Sequence, residues 1–162
     1  TFAQAAELLE DQKCVGIKIH PPYHGYSILD YADVIFSFAE KHGATVLMHP
    51  DHIEEMPRFA DRYPDMRLII AHLGSIEHVD AIAAAKHGNL YTDTSGIASS
   101  NNQILEYAVE RVGSDHIFFG TDTYSPAFQR GRVEYALISE TDKENILYRN
   151  AQNLFPKLCG QE

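Results

Sequence analysis

Four short apolar runs in this chain end on side chains that can do chemistry. "GIKIHPP" stops at His20, "VLMHP" at His49, "LIIAHLGS" runs through His72, and "IFFGTDTYSP" runs through Asp122. Imidazole and carboxylate are the usual nitrogen and oxygen ligands of zinc and related divalent ions. A catalytic ion that keeps one position open lowers the pKa of its bound water, so hydroxide becomes available near neutral pH. Gathered at one mouth, His49 and Asp122 can hold such an ion while His72 stands beside the water.

The elements that would gather them alternate. After an opening amphipathic helix, "TFAQAAELLEDQK", with Phe2, Ala5, Leu8 and Leu9 on one side, come five β-rich runs: "CVGIKIHPP", "ATVLMHP", "RLIIAHLGS", "NLYTDTSG" and "HIFFGTD". Helical patterns lie between them in "DYADVIFSFAEKHG", "IEEMPRFADRYP", "EHVDAIAAAKHG" and "NNQILEYAVERVG". This alternation predicts parallel strands joined by crossover helices. "TDKENILYRNAQNLF" predicts a closing helix, with Thr141 and Glu144 spaced as a capping box.

Five such units fit either an open doubly wound sheet or part of an eight-stranded barrel, whose complete form takes about 250 residues. An open sheet would scatter the four polar endings, whereas a barrel rim collects them. The predicted fold is therefore α/β, of the (β/α)8 TIM-barrel type, with about five βα units present and residues 1–162 forming one domain. Period-two alternation predicts that Lys18 and His20 share a face opposite Ile17 and Ile19. By the same reasoning Val46 and Met48 oppose His49, Ile69 and Ala71 oppose His72, and Phe119 and Thr121 oppose Asp122.

Composition narrows the partners. The 162 residues carry a formal net charge of −10, which disfavours a nucleic-acid backbone or an anionic membrane, since both are bound through clustered Lys and Arg. No apolar run approaches spanning length. Cys14 and Cys159 lie far apart without a CxxC spacing, so no disulfide framework is indicated and a cytoplasmic setting is the default. A small molecule is the expected ligand.

Taken together and in order, "GIKIHP", "VLMHP", "LIIAHLGS", "NLYTDTSG" and "IFFGTD" resemble the metal-dependent amidohydrolase superfamily, in its amidohydrolase-related branch of hydrolases and non-oxidative decarboxylases. The resemblance covers nearly the whole chain. It implies that His49 is a metal ligand, that His72 contacts substrate or the hydrolytic water, and that Asp122 is a ligand that also accepts a proton from that water. It implies pocket roles for Lys18 and His20, with Tyr23 on the following loop. The implied cofactor is a divalent metal, zinc first and manganese second.

The implied activity is attack of metal-activated water on a C–O or C–N bond of a small carboxylated or cyclic substrate. A decarboxylase and a non-catalytic interaction module are the alternatives. Family members open with a His-x-His pair that is absent from this sequence, so the chain reads as the C-terminal portion of a longer enzyme. Exposed sheet edges would then favour a homo-oligomer or association with the missing N-terminal segment.

Other candidates have plainer readings. His42 and His87 each sit in Lys-His-Gly, the pattern of a helix C-terminus. His52 and His78 are expected on solvated loops after the key strands, and His116 at the strand end away from the site. Ser95 lacks the G-x-S-x-G elbow of a nucleophile, so Asp93 and Ser95 are expected to shape their loop or bond the substrate.

Overall fold

The computed structural model describes residues 1–11, 14–97 and 100–160. Its strands are β1 (Gly16–Ile19), β2 (Thr45–Met48), β3 (Arg67–Ile70), β4 (Leu90–Asp93) and β5 (Ile117–Phe118). Its α-helices are α1 (Phe2–Glu10), α2 (Pro21–His24), α3 (Ile28–Lys41), α4 (Met56–Arg62), α5 (Ile76–Ala84), α6 (Ile104–Val112), α7 (Pro126–Glu134), α8 (Glu140–Glu144) and α9 (Asn150–Leu154). The strands pair in sequence order, β1 to β5, and every pairing is parallel. A doubly wound sheet reverses its order at a switch point. This sheet has no reversal, so it is an arc of a (β/α)8-type barrel, as the sequence predicts.

The two faces of the arc differ. Ile17, Ile19, Val46, Met48, Leu68, Ile70 and Leu90 pack with Phe36 of α3, Phe59 of α4 and Ile82 of α5 in one apolar core. A second core joins Leu73, Ile104, Leu105, Ile117, Val133 and Ile146. The opposite face, carrying Lys18, Leu47, Ile69 and Phe118, lines a cavity of about 650 Å³. The alternation predicted for Lys18 against Ile19 matches this division, as does the placing of Val46 and Met48 in the core, while Ile17 touches both core and cavity.

Alternation fails at the two later strand ends. Ile69 lines the cavity and Ile70 the core, so a straight continuation would send His72 toward the helices. His72 instead has φ +69°, which turns the chain. Regular β5 ends at Phe118, and Phe119, Thr121 and Asp122 all line the cavity, with Asp122 at φ +53°. Ile69 and Phe119 therefore do not oppose the site residues, contrary to the period-two expectation.

Four further expectations are corrected. Phe2 and Leu8 are largely exposed, Leu9 packs on the core, and the Phe2 ring lies 4.9 Å from that of Phe38 in α3, so only part of the predicted apolar side of α1 meets the body. The closing helix is capped by Ser139, whose Oγ accepts from Asp142 N (3.1 Å), two residues before the predicted cap. It widens into a π turn over Asn145–Arg149, and the Ile146 carbonyl within that turn accepts from Phe119 N (2.9 Å), which anchors the strand end where pairing stops.

His42 caps α3 ahead of left-handed Gly43, as expected, but α5 ends at Ala84, leaving His87 beyond it. His78 is a buried residue of α5, not a loop residue. It reaches its place because its ring bonds Ser75 Oγ (3.2 Å) and the Ala71 backbone. No helix among the described residues is long and apolar enough to cross a membrane.

Candidate active site

Parallel strands bring their carboxyl ends to one rim, and the predicted histidines meet there. The His20 and His49 rings stack with centroids 4.1 Å apart, and His49 meets His72 edge-on at 5.1 Å. His20 Nδ1 accepts from Tyr23 N (3.2 Å) and so caps α2. Tyr23 itself is 81% exposed, with its ring centroid 5.7 Å from that of His20. Lys18, His72, Ser95 and Asp122 all line the cavity.

Burial sets the charge states available. Burial pushes the His49 pKa below its ordinary value, the neighbouring His20, His72 and Lys18 push the same way, and the Pro50 backbone opposes them. A ring kept neutral in this way can ligate a metal. Its Nδ1 is sealed from solvent without a hydrogen bond of good geometry, a free lone pair or donor that wants a partner. Lys18 is pulled down by desolvation and partly restored by Asp93 and Asp122. Lys18, Asp93 and Asp122 all line the same cavity.

The donor chemistry of His49 and Asp122 suits a divalent ion. No group of three or more His, Cys, Asp or Glu side chains able to hold a metal is present among the described residues. The two residues fit as part of a ligand set and do not complete one.

His72 is held most tightly. Asp93 Oδ1 accepts from three donors: His72 N (3.0 Å), Ser95 N (2.9 Å) and Ser95 Oγ (2.5 Å). Ser95 Oγ also meets His72 Nδ1 at 2.8 Å. Gly96, at φ +74°, lies so close that a Cβ there would sit 2.6 Å from His72 Nδ1. Gly120 passes beneath, where a Cβ would fall 2.9 Å from Ser95 Cβ and 3.2 Å from Asp93 Cγ. Buried Gln129 of α7 donates to the Gly96 carbonyl (2.9 Å) and ties that loop down.

The grip on His72 is not apparent from "TDTSG" alone; the two small residues bracketing a buried acid and a hydroxyl are its only trace in the sequence. Of the three non-glycine residues with positive φ among the described residues, two are His72 and Asp122. Such backbone is costly for residues with a Cβ and is concentrated at functional sites.

A parallel arc with histidines and an aspartate at its carboxyl rim, over an apolar-walled cavity, defines a fold class, the (β/α)8-type barrel, which presents its polar side chains at the carboxyl ends of its strands. The amidohydrolase family model (amidohydrolase-2 type) matches residues 1–157, and the chain belongs to that family. A curated relative, gamma-resorcylate decarboxylase from Polaromonas sp. (strain JS666 / ATCC BAA-500), is 30% identical across 59% of this chain and 36% of its own.

Two solved structures share the fold. The 2,6-dihydroxybenzoate decarboxylase from Rhizobium superposes with a TM-score of 0.75 at 16% identity, covering 96% of this chain and 66% of that one. A dihydroxybenzoic acid decarboxylase from Polaromonas sp. JS666, with bound manganese and the inhibitor 2-nitroresorcinol, gives 0.73 at 18% identity, covering 96% and 64%. The chain therefore spans about a third of the curated relative's length and under two thirds of the two solved structures'.

Proposed function

We propose that this chain forms a five-stranded arc of a divalent-metal-dependent, non-oxidative decarboxylase acting on a small hydroxylated aromatic acid. The observation that carries the reading is the convergence of His49, His72 and Asp122 on one rim, two of them in left-handed backbone, above a cavity walled by Leu47, Ile69 and Phe118. Those apolar walls suit a ring, and Lys18 supplies a cation for its carboxylate. The sequence alone favours a hydrolase; the relatives named for decarboxylation favour its alternative, on the same site.

His49 and Asp122 are the residues that would hold the metal, with the remaining ligands in the part of the relatives' length that this chain does not span. Manganese is favoured over zinc because a solved relative carries manganese. When bound, a divalent cation would grip the substrate's carboxylate and adjacent oxygen and withdraw electron density from them. His72 holds or moves a proton at its outer nitrogen, and Lys18 orients the anion. Asp122 is placed to exchange a proton at the rim. His20 packs the His49 ring in place.

The test uses the whole protein, stripped with chelator and resupplied with manganese or zinc. It is incubated with ortho-hydroxybenzoates and, separately, with lactones and cyclic amides. Carbon dioxide release from the hydroxybenzoates, lost on chelation, is the expected result. Ring opening or amide cleavage without carbon dioxide would return the reading to a hydrolase.

A further inference from the structure

The hydrogen bonds around Asp93 fix which nitrogen of His72 carries the proton. Backbone amides can only donate, and two of them, from His72 and Ser95, point at Asp93 Oδ1. That oxygen therefore accepts and carries no hydrogen of its own. Its third contact, to Ser95 Oγ, then has the serine as donor. A hydroxyl has one hydrogen, so toward His72 Nδ1, 2.8 Å away, Ser95 Oγ can only accept. The imidazole must donate from Nδ1, and Nε2 is left with a lone pair.

We propose that Asp93 and Ser95 are positioning residues that lock His72 as its Nδ1–H tautomer, presenting Nε2 as an acceptor for the O–H hydrogen of substrate or water. The same arrangement explains the local backbone. His72 needs its left-handed φ to place both its amide and its ring against one carboxylate-hydroxyl pair, and Gly96 makes room beside Nδ1. Ser95 then serves His72 and not the substrate, which revises the role expected for it from sequence. The catalytic value of the lock rests on the function proposed above; the tautomer itself does not.

The test is long-range proton–nitrogen NMR on the 162-residue chain with 15N-labelled histidine, at about pH 8 where imidazoles are neutral. The His72 signal is assigned by its loss in His72→Gln. A pyrrole-type Nδ1 and pyridine-type Nε2 are expected, retained in Ser95→Thr and shifted toward the opposite tautomer in Ser95→Ala. A pyridine-type Nδ1 in the unsubstituted chain would overturn the proposal, whether or not Ser95→Ala folds. In the whole enzyme, Ser95→Ala should lower kcat roughly 10–100-fold with KM little changed. A raised KM with kcat intact would mark a substrate contact and overturn the positioning role. Absence of decarboxylation would sink the proposed reaction while leaving the tautomer result standing.

Discussion

Replacing Asp93 should separate what its oxygen does from what its charge does. Asp93→Ala removes the acceptor of three hydrogen bonds, two of them from the main-chain amides of His72 and Ser95. An unsatisfied buried donor costs about 1–3 kcal/mol, so the two amides together cost about 2–6 kcal/mol. Asp93→Asn keeps an oxygen in place and forfeits only the charge assistance, about 1–2 kcal/mol. At about 2–4 °C per kcal/mol for a chain of this size, the alanine variant should melt roughly 4–24 °C below the parent and the asparagine variant roughly 2–8 °C below it. Far-UV circular dichroism on heating reads both. Equal melting temperatures for the two variants would refute the claim that Asp93 holds those amides.

Two further substitutions probe the same frame. Gly96→Ala meets both a left-handed φ and a Cβ position 2.6 Å from His72 Nδ1, so it should destabilise by about 1–2 kcal/mol from backbone alone and move the His72 ring, seen as a shifted histidine NMR signal; an unmoved signal would contradict the close packing. His78 is held below its ordinary pKa of 6.5, chiefly by burial, against an opposing bond to the Ala71 backbone. The unfolded chain therefore takes up the proton first, and stability, complete above 6.5, falls as pH drops from there through the folded value. Urea midpoints between about pH 7 and pH 5 should show that decline, and His78→Gln should flatten part of it.

The strands, their parallel order and the polar rim were legible because apolar β runs with abrupt His or Asp endings are strong signals. The reach of the fold into "TSG" was not, because the partners of His72 lie more than twenty residues away and the turn that points it inward breaks the alternation used to predict it. Helix α7 hides in "PAFQRGRVE" for a related reason: Phe128 is exposed while polar Gln129 is fully buried, its amide spent on Gly96. His78 was misplaced because a histidine after a strand looks solvated until Ser75 Oγ and the Ala71 backbone supply polar partners for its buried ring. Asp122 was singled out from its strand ending, yet its left-handed backbone was not legible, since glycine is the residue that most plainly announces such a conformation.

The central claim, that His49 and Asp122 carry a divalent metal at the rim, is tested most directly by metal content. The whole protein, loaded with manganese and dialysed, should hold a stoichiometric ion that is lost in both His49→Ala and Asp122→Asn and kept in His24→Ala, a variant of an exposed residue outside the site. Full metal retention in His49→Ala and Asp122→Asn would contradict the account.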